Sequence, residues 1–204
     1  MVVTVNNSLT LREFLQLPET KPRKEFIDGQ IIPKPMPQGK HSTIQGDLVP
    51  AINASLKPQR IARAYPELRC TFGSRSLVPD VSVFLWENIP RDGEGKVLNN
   101  FAIAPDWLIE ILSPDQNQTK VVKNILYCLD HGTQMGWLID PEEEIIFVYF
   151  SDRTIAIFES ENALLPVPAF ATNFQITLGQ LFDWLRGFII KLKMDFRFDP
   201  PCPP

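Results

Sequence analysis

Histidine occurs only twice in this 204-residue chain and cysteine three times, so the usual zinc ligands and triad members are scarce. Cys70, Cys128 and Cys202 are scattered, with no Cys-x-x-Cys pair. That argues against a structural zinc site or a disulfide framework and for reduced thiols. A Gly-x-Gly-x-x-Gly fingerprint, a Walker phosphate loop and a Gly-x-Ser-x-Gly elbow are all missing. No apolar run approaches the ~20 residues of a membrane-spanning helix. The start, Met1 to Asn7, lacks the basic and apolar regions of a signal peptide, so a cytoplasmic location is the expectation. A basic surplus is also missing. The net charge of −4 does not mark the whole chain as a nucleic-acid binder, although a local basic groove is enough to steer one.

Apolar residues, by contrast, are plentiful. At 44% of the chain, with 14 Phe and 4 Trp, they support a packed core rather than disorder. The length suits one domain over residues 1–190, followed by a proline-rich tail, 191–204, that is expected to fray. Leu11, Phe14 and Leu15 predict a short helix, with Ser8 or Thr10 as its cap. Asp28-Gly29 between apolar pairs predicts a tight hairpin. Pro33, Pro35 and Pro37 predict a stiff loop. Ile44, Leu48, Ile52 and Leu56 predict a helix from about His41, with Pro50 as a kink risk. Strands are expected within 60–72, over 77–85, over 107–112 and over 135–139, and a hairpin over 145–158. Helices are expected over about 118–130 and 178–188. The order implies a mixed α/β (α+β) domain with a largely central sheet, and it allows a parallel crossover between the Glu110 and Trp137 strands.

Two acids interrupt these apolar runs: Asp80, after Pro79, and Glu110, between Ile109 and Ile111. A carboxylate inside a core costs several kcal/mol unless it is paired or binds a metal. Lys120 and Lys123 follow, three apart, and share a face of the predicted helix. Two acids and a lysine suit phosphodiester cleavage, in which Mg²⁺ takes oxygen ligands and a cation stabilises the transition state. The Ile111 carbonyl is a candidate third oxygen ligand. The alternative is a buried Glu110–Lys123 ion pair without catalysis.

The ordered set formed by 25–31, His41, Pro79 to Val83, Ala104 to Pro114, the lysine helix and Gly132 to Pro141 resembles the Uma2-like (DUF820) family of putative restriction endonucleases, cyanobacterial type. The resemblance implies a PD-(D/E)xK, restriction-endonuclease-like fold with helices flanking a mixed central sheet. It also implies that Asp80 and Glu110 bind Mg²⁺, or Mn²⁺. The Glu-x-Lys of that superfamily is absent, because Leu112 holds the lysine's place. The resemblance therefore implies a lysine moved to the following helix, Lys123 first and Lys120 second. An acid on the early element maps to Glu25, and a histidine to His41. DNA is the implied partner, and a homodimer follows by analogy with relatives that cut two strands. The competing reading is a catalytically inactive nucleic-acid-binding or interaction protein on the same scaffold.

Overall fold

The computed structural model describes residues 9–114 and 116–186. The expected tail, Cys202 and the end of the predicted closing helix at Phe188 lie outside these residues. Helix α1 (Leu11–Phe14) is a single turn, shorter than predicted, opened by a reciprocal capping box between Thr10 and Glu13. Strands β1 (Lys24–Ile27) and β2 (Gln30–Pro33) form the predicted hairpin, with Asp28 and Gly29 at φ of 50° and 82° in its turn. Helix α2 (Gly39–Leu56) starts two residues before His41 and continues through Pro50.

Strands β3 (Ala62–Pro66), β4 (Cys70–Phe72), β5 (Arg75–Leu77) and β6 (Val81–Leu85) follow. The single strand predicted over 77–85 is therefore two strands in two different sheets. Pro79 has no N–H for a ladder, and the N–H of Val78 is taken by the side chain of Glu25. The chain then forms β7 (Trp107–Ile111), α3 (Gln118–Leu129), β8 (Met135–Asp140), β9 (Ile145–Phe150), β10 (Ile155–Phe158) and α4 (Leu178–Asp183). Helix α4 is shorter than its predicted span.

The small sheet has the order β2-β1-β5-β4, and the large one β10-β9-β8-β7-β6-β3. Within the large sheet β7 and β8 run parallel, joined through α3, and the remaining pairs are antiparallel. This is the expected mixed sheet flanked by helices. Alternation along the strands divides the core into two layers. Trp107, Ile109 and Ile111 face α2, with Ile44, Leu48 and Ile52 packed against them. Leu108 and Leu138 face the opposite way, toward Val121, Ile125 and Cys128 of α3 and Leu77 of the small sheet. Glu110 shares that second face by its position in the strand. Among the described residues, no helix is long and apolar enough to cross a membrane.

Candidate active site

Strand pairing alone sets the two acids opposite each other. In the antiparallel register Val81 faces Ile109, so the next pair outward is Asp80 and Glu110. Asp80 lies beyond the end of β6, where its side chain replaces the ladder. Its Oδ2 accepts the N–H of Ile111 at 2.8 Å. Its own carbonyl accepts Gln45 Nε2 from α2 at 2.7 Å. The residue is thus held from two sides, and its side chain is only 1% exposed.

The cation that these acids share is Lys34, which sequence reasoning left in the proline loop. Its Nζ lies 2.8 Å from Asp80 Oδ1 and 3.3 Å from Glu110 Oε2, and it donates to the Val78 carbonyl. Two of the ammonium's donors go to the Val78 carbonyl and to Glu110 Oε2. The contact with Asp80 Oδ1 is an ion pair rather than an aligned hydrogen bond, and that buried oxygen has no other partner. His41 approaches from α2, with Nε2 3.0 Å from Asp80 Oδ2. Glu25 completes the group from β1, where its Oε1 accepts the buried N–H of Val78 at 2.8 Å.

Burial pushes every carboxyl here toward its neutral form, and the neighbours decide the outcome. For Asp80, burial is outweighed by Lys34 and His41, and its pKa falls below the usual carboxylate range. For Glu110, burial wins over Lys34, and the charges of Asp80 and Glu25 add to it, so its pKa lies well above the ordinary value. Glu25 is raised as well, chiefly by burial. Burial opposes the charge on Lys34, but Asp80, Glu110 and Glu25 overcome it and hold its pKa above the ordinary lysine range. The site therefore sets an ionised Asp80 beside a Glu110 that readily keeps its proton.

A cavity of about 190 Å³ opens beside this cluster, lined by Glu25, Lys34, Glu110, Asn117, Lys120 and Asn124 among others. Helix α3 begins there, with Asn117 as its cap. Lys120 thus borders the cavity, whereas Lys123 is not among its lining residues, and both are exposed. In place of the alternative Glu110–Lys123 pair, Glu110 pairs with Lys34. Asn124, buried on α3 and facing the same cavity, also escaped the sequence reading. Its place three residues before Tyr127 on an apolar helix face was the available signal.

The donor set suits a hard divalent cation. Among the described residues no group of three or more His, Cys, Asp or Glu side chains forms a ready cage. Mg²⁺, however, commonly takes one or two carboxylates and completes its shell with water and phosphate. Asp80 and Glu110 are two carboxylates of the kind such a cation would take, and Asp80 Oδ1, which accepts no hydrogen bond and meets only the Lys34 ammonium at 2.8 Å, fits a cation's oxygen ligand. The Ile111 N–H is committed to Asp80, and its carbonyl stays a candidate ligand only.

The Glu25–Val78 bond carries a stability prediction. Glu25→Ala leaves a buried N–H unpaired and should cost about 1–3 kcal/mol. Glu25→Gln keeps an acceptor oxygen and should cost little. Urea denaturation of the two variants checks this, and equal losses would contradict it.

The sequence profile of Uma2, described as putative restriction endonuclease, matches residues 11–179. The chain belongs to the Uma2 family. A crystal structure of a putative nuclease of DUF820 from Anabaena variabilis ATCC 29413 is similar to it, with 61% identity and a TM-score of 0.86. The match covers 87% of this chain and 99% of that one. No curated protein matches the chain. Membership of the Uma2 family supports a nuclease function for the chain and accords with the restriction-endonuclease-like fold.

Proposed function

We propose that this Uma2 protein is a metal-dependent DNA endonuclease, with Asp80 and Glu110 as the carboxylates that hold Mg²⁺ or Mn²⁺. The observation that carries this reading is the convergence of the two buried acids on one cation, Lys34, which with Glu110 lines an open cavity. Such a bound ion would neutralise the phosphate and make water acidic enough to attack it.

The chain's own groups supply the remaining needs. Lys34 stands within reach of both acids and fills the role of the lysine absent at Leu112. Lys120 and the first turn of α3 face the cavity, where positive charge and the helix dipole favour a phosphate. Glu25 holds the chain at Val78, and hence the approach to Asp80, while His41 and the Ile111 N–H orient the Asp80 carboxylate. Glu110 must give up its proton before it can act as a ligand, so cleavage should rise with pH. A homodimer would present two such sites to the two strands of a duplex.

Conversion of supercoiled plasmid to nicked circles, with Mg²⁺ or Mn²⁺, tests the reading. Lys120→Ala should slow nicking by about 10²-fold, the size of effect expected from losing one transition-state donor. Lys123→Ala should nick as fast as wild type. The reverse pattern would return the role to Lys123.

A further inference from the structure

We propose that Lys34 is a built-in stand-in for the divalent cation. Its ammonium holds the place between Asp80 and Glu110 while no metal is bound, and a metal that binds these acids turns it out into the cleft, toward the phosphate. This rests on Asp80 and Glu110 being the metal ligands. The geometry points to exchange rather than coexistence. The Lys34 Nζ lies 2.8 Å from Asp80 and 3.3 Å from Glu110, so it occupies the space from which both carboxylates can be reached together. A second cation there would meet the ammonium at close range in a poorly solvated pocket, where like charges repel strongly.

The surroundings allow the movement. Lys34 stands between Pro33 and Pro35, whose rings fix φ and restrict the residue before each of them, so the local backbone is stiff. The four-carbon stem of the side chain must then do the moving. It has room on two sides, because Lys34 lines both the cavity beside Glu110 and a second one of about 520 Å³ edged by Lys21, Arg23 and Met36. Asp80 and Glu110 contact the ammonium and Glu25 lines the same cavity, so it stays among these acids until another cation takes its place.

Two measurements that do not depend on activity test this. The first is Mn²⁺ binding by calorimetry for wild type, Lys34→Met and Asp80→Asn. Lys34→Met should bind at least about tenfold tighter than wild type, since its acids have lost their internal competitor. Asp80→Asn should bind far more weakly. The second uses wild type alone, acylated briefly with acetic anhydride and read by peptide mass spectrometry. In EDTA, Lys34 should react much more slowly than exposed Lys123, and saturating Mn²⁺ should raise its rate at least about tenfold. This second measurement decides the matter if Lys34→Met does not fold. Equal affinities in wild type and Lys34→Met, or no rise in labelling on bound metal, overturn the exchange and leave the metal site standing. Absence of Mn²⁺ binding in both proteins overturns the metal site and the exchange together.

Discussion

Asp80→Asn and Glu110→Gln should each lower metal-dependent plasmid nicking by about 10²–10³-fold or more while leaving the fold intact. Both changes are close to isosteric, and each removes a carboxyl group that can ionise to hold a cation. Asn at position 80 keeps an oxygen for the Ile111 N–H, so the end of β6 should stay docked on β7. Gln at position 110 resembles the protonated carboxyl that burial already favours. The two variants should part company in their stability. Asp80 has a folded pKa below its ordinary 3.8, so its stabilising contribution is present above that pH and fades as pH falls through the lower value. Glu110 has the opposite sign. Its folded pKa lies above its ordinary 4.5, so the native state loses stability as pH rises from there through the raised value. Glu110→Gln should therefore melt at or above the wild-type temperature near pH 8, whereas Asp80→Asn should melt below it. Nicking assays paired with thermal melts check both halves. Wild-type cleavage rates in both variants would place any nuclease chemistry elsewhere on the molecule.

These two acids were legible because each breaks an apolar run, and a buried charge needs a reason. Their pairing was legible in outline, since β6 and β7 both read as core strands. The single strand predicted over 77–85 includes Asp80, although Pro79 marks the break that frees its side chain to cap the neighbouring strand. Lys34 was hidden for a physical reason. Its environment is made by the β1–β2 hairpin folding back on the large sheet, across 76 positions of sequence to Glu110. Nothing in its proline-flanked neighbourhood records that contact. Lys120 and Lys123 show the limit of helical periodicity. Three residues of spacing put both on one broad face, but only the packing of Val121 and Ile125 against the sheet decides which one borders the cavity. His41 was placed at the start of a helix, and the start of α2 proves to be where Asp80 is met.

That packing can itself be tested at Gly136, where Ile125 of α3 lies against β8. A Cβ at this position would lie 2.5 Å from Ile125 Cγ2, closer than atoms tolerate, and 3.7 Å from the Cβ of Tyr149. Ile125 is fully buried, and its branched side chain has little freedom to turn away. Gly136→Val should therefore force α3 outward, at a cost of about 1–3 kcal/mol from overpacking. For a domain of this size that corresponds to a melting temperature lower by roughly 2–4 °C per kcal/mol. The site should suffer more than the fold. Helix α3 carries Lys120, Val121 and Asn124 along the cavity wall, so a shift of the helix moves all three away from Glu110 and Lys34. Nicking by Gly136→Val should then fall about 10²-fold at temperatures where the protein is still folded, the penalty expected for ~1 Å misplacement of catalytic groups. Removing the obstacle should reverse both effects. Ile125→Ala in the same chain reopens the space, and the double variant should recover activity that neither change would restore by independent addition. If the double variant is merely the sum of the two losses, contact between α3 and β8 at Gly136 is not what sets the cavity wall.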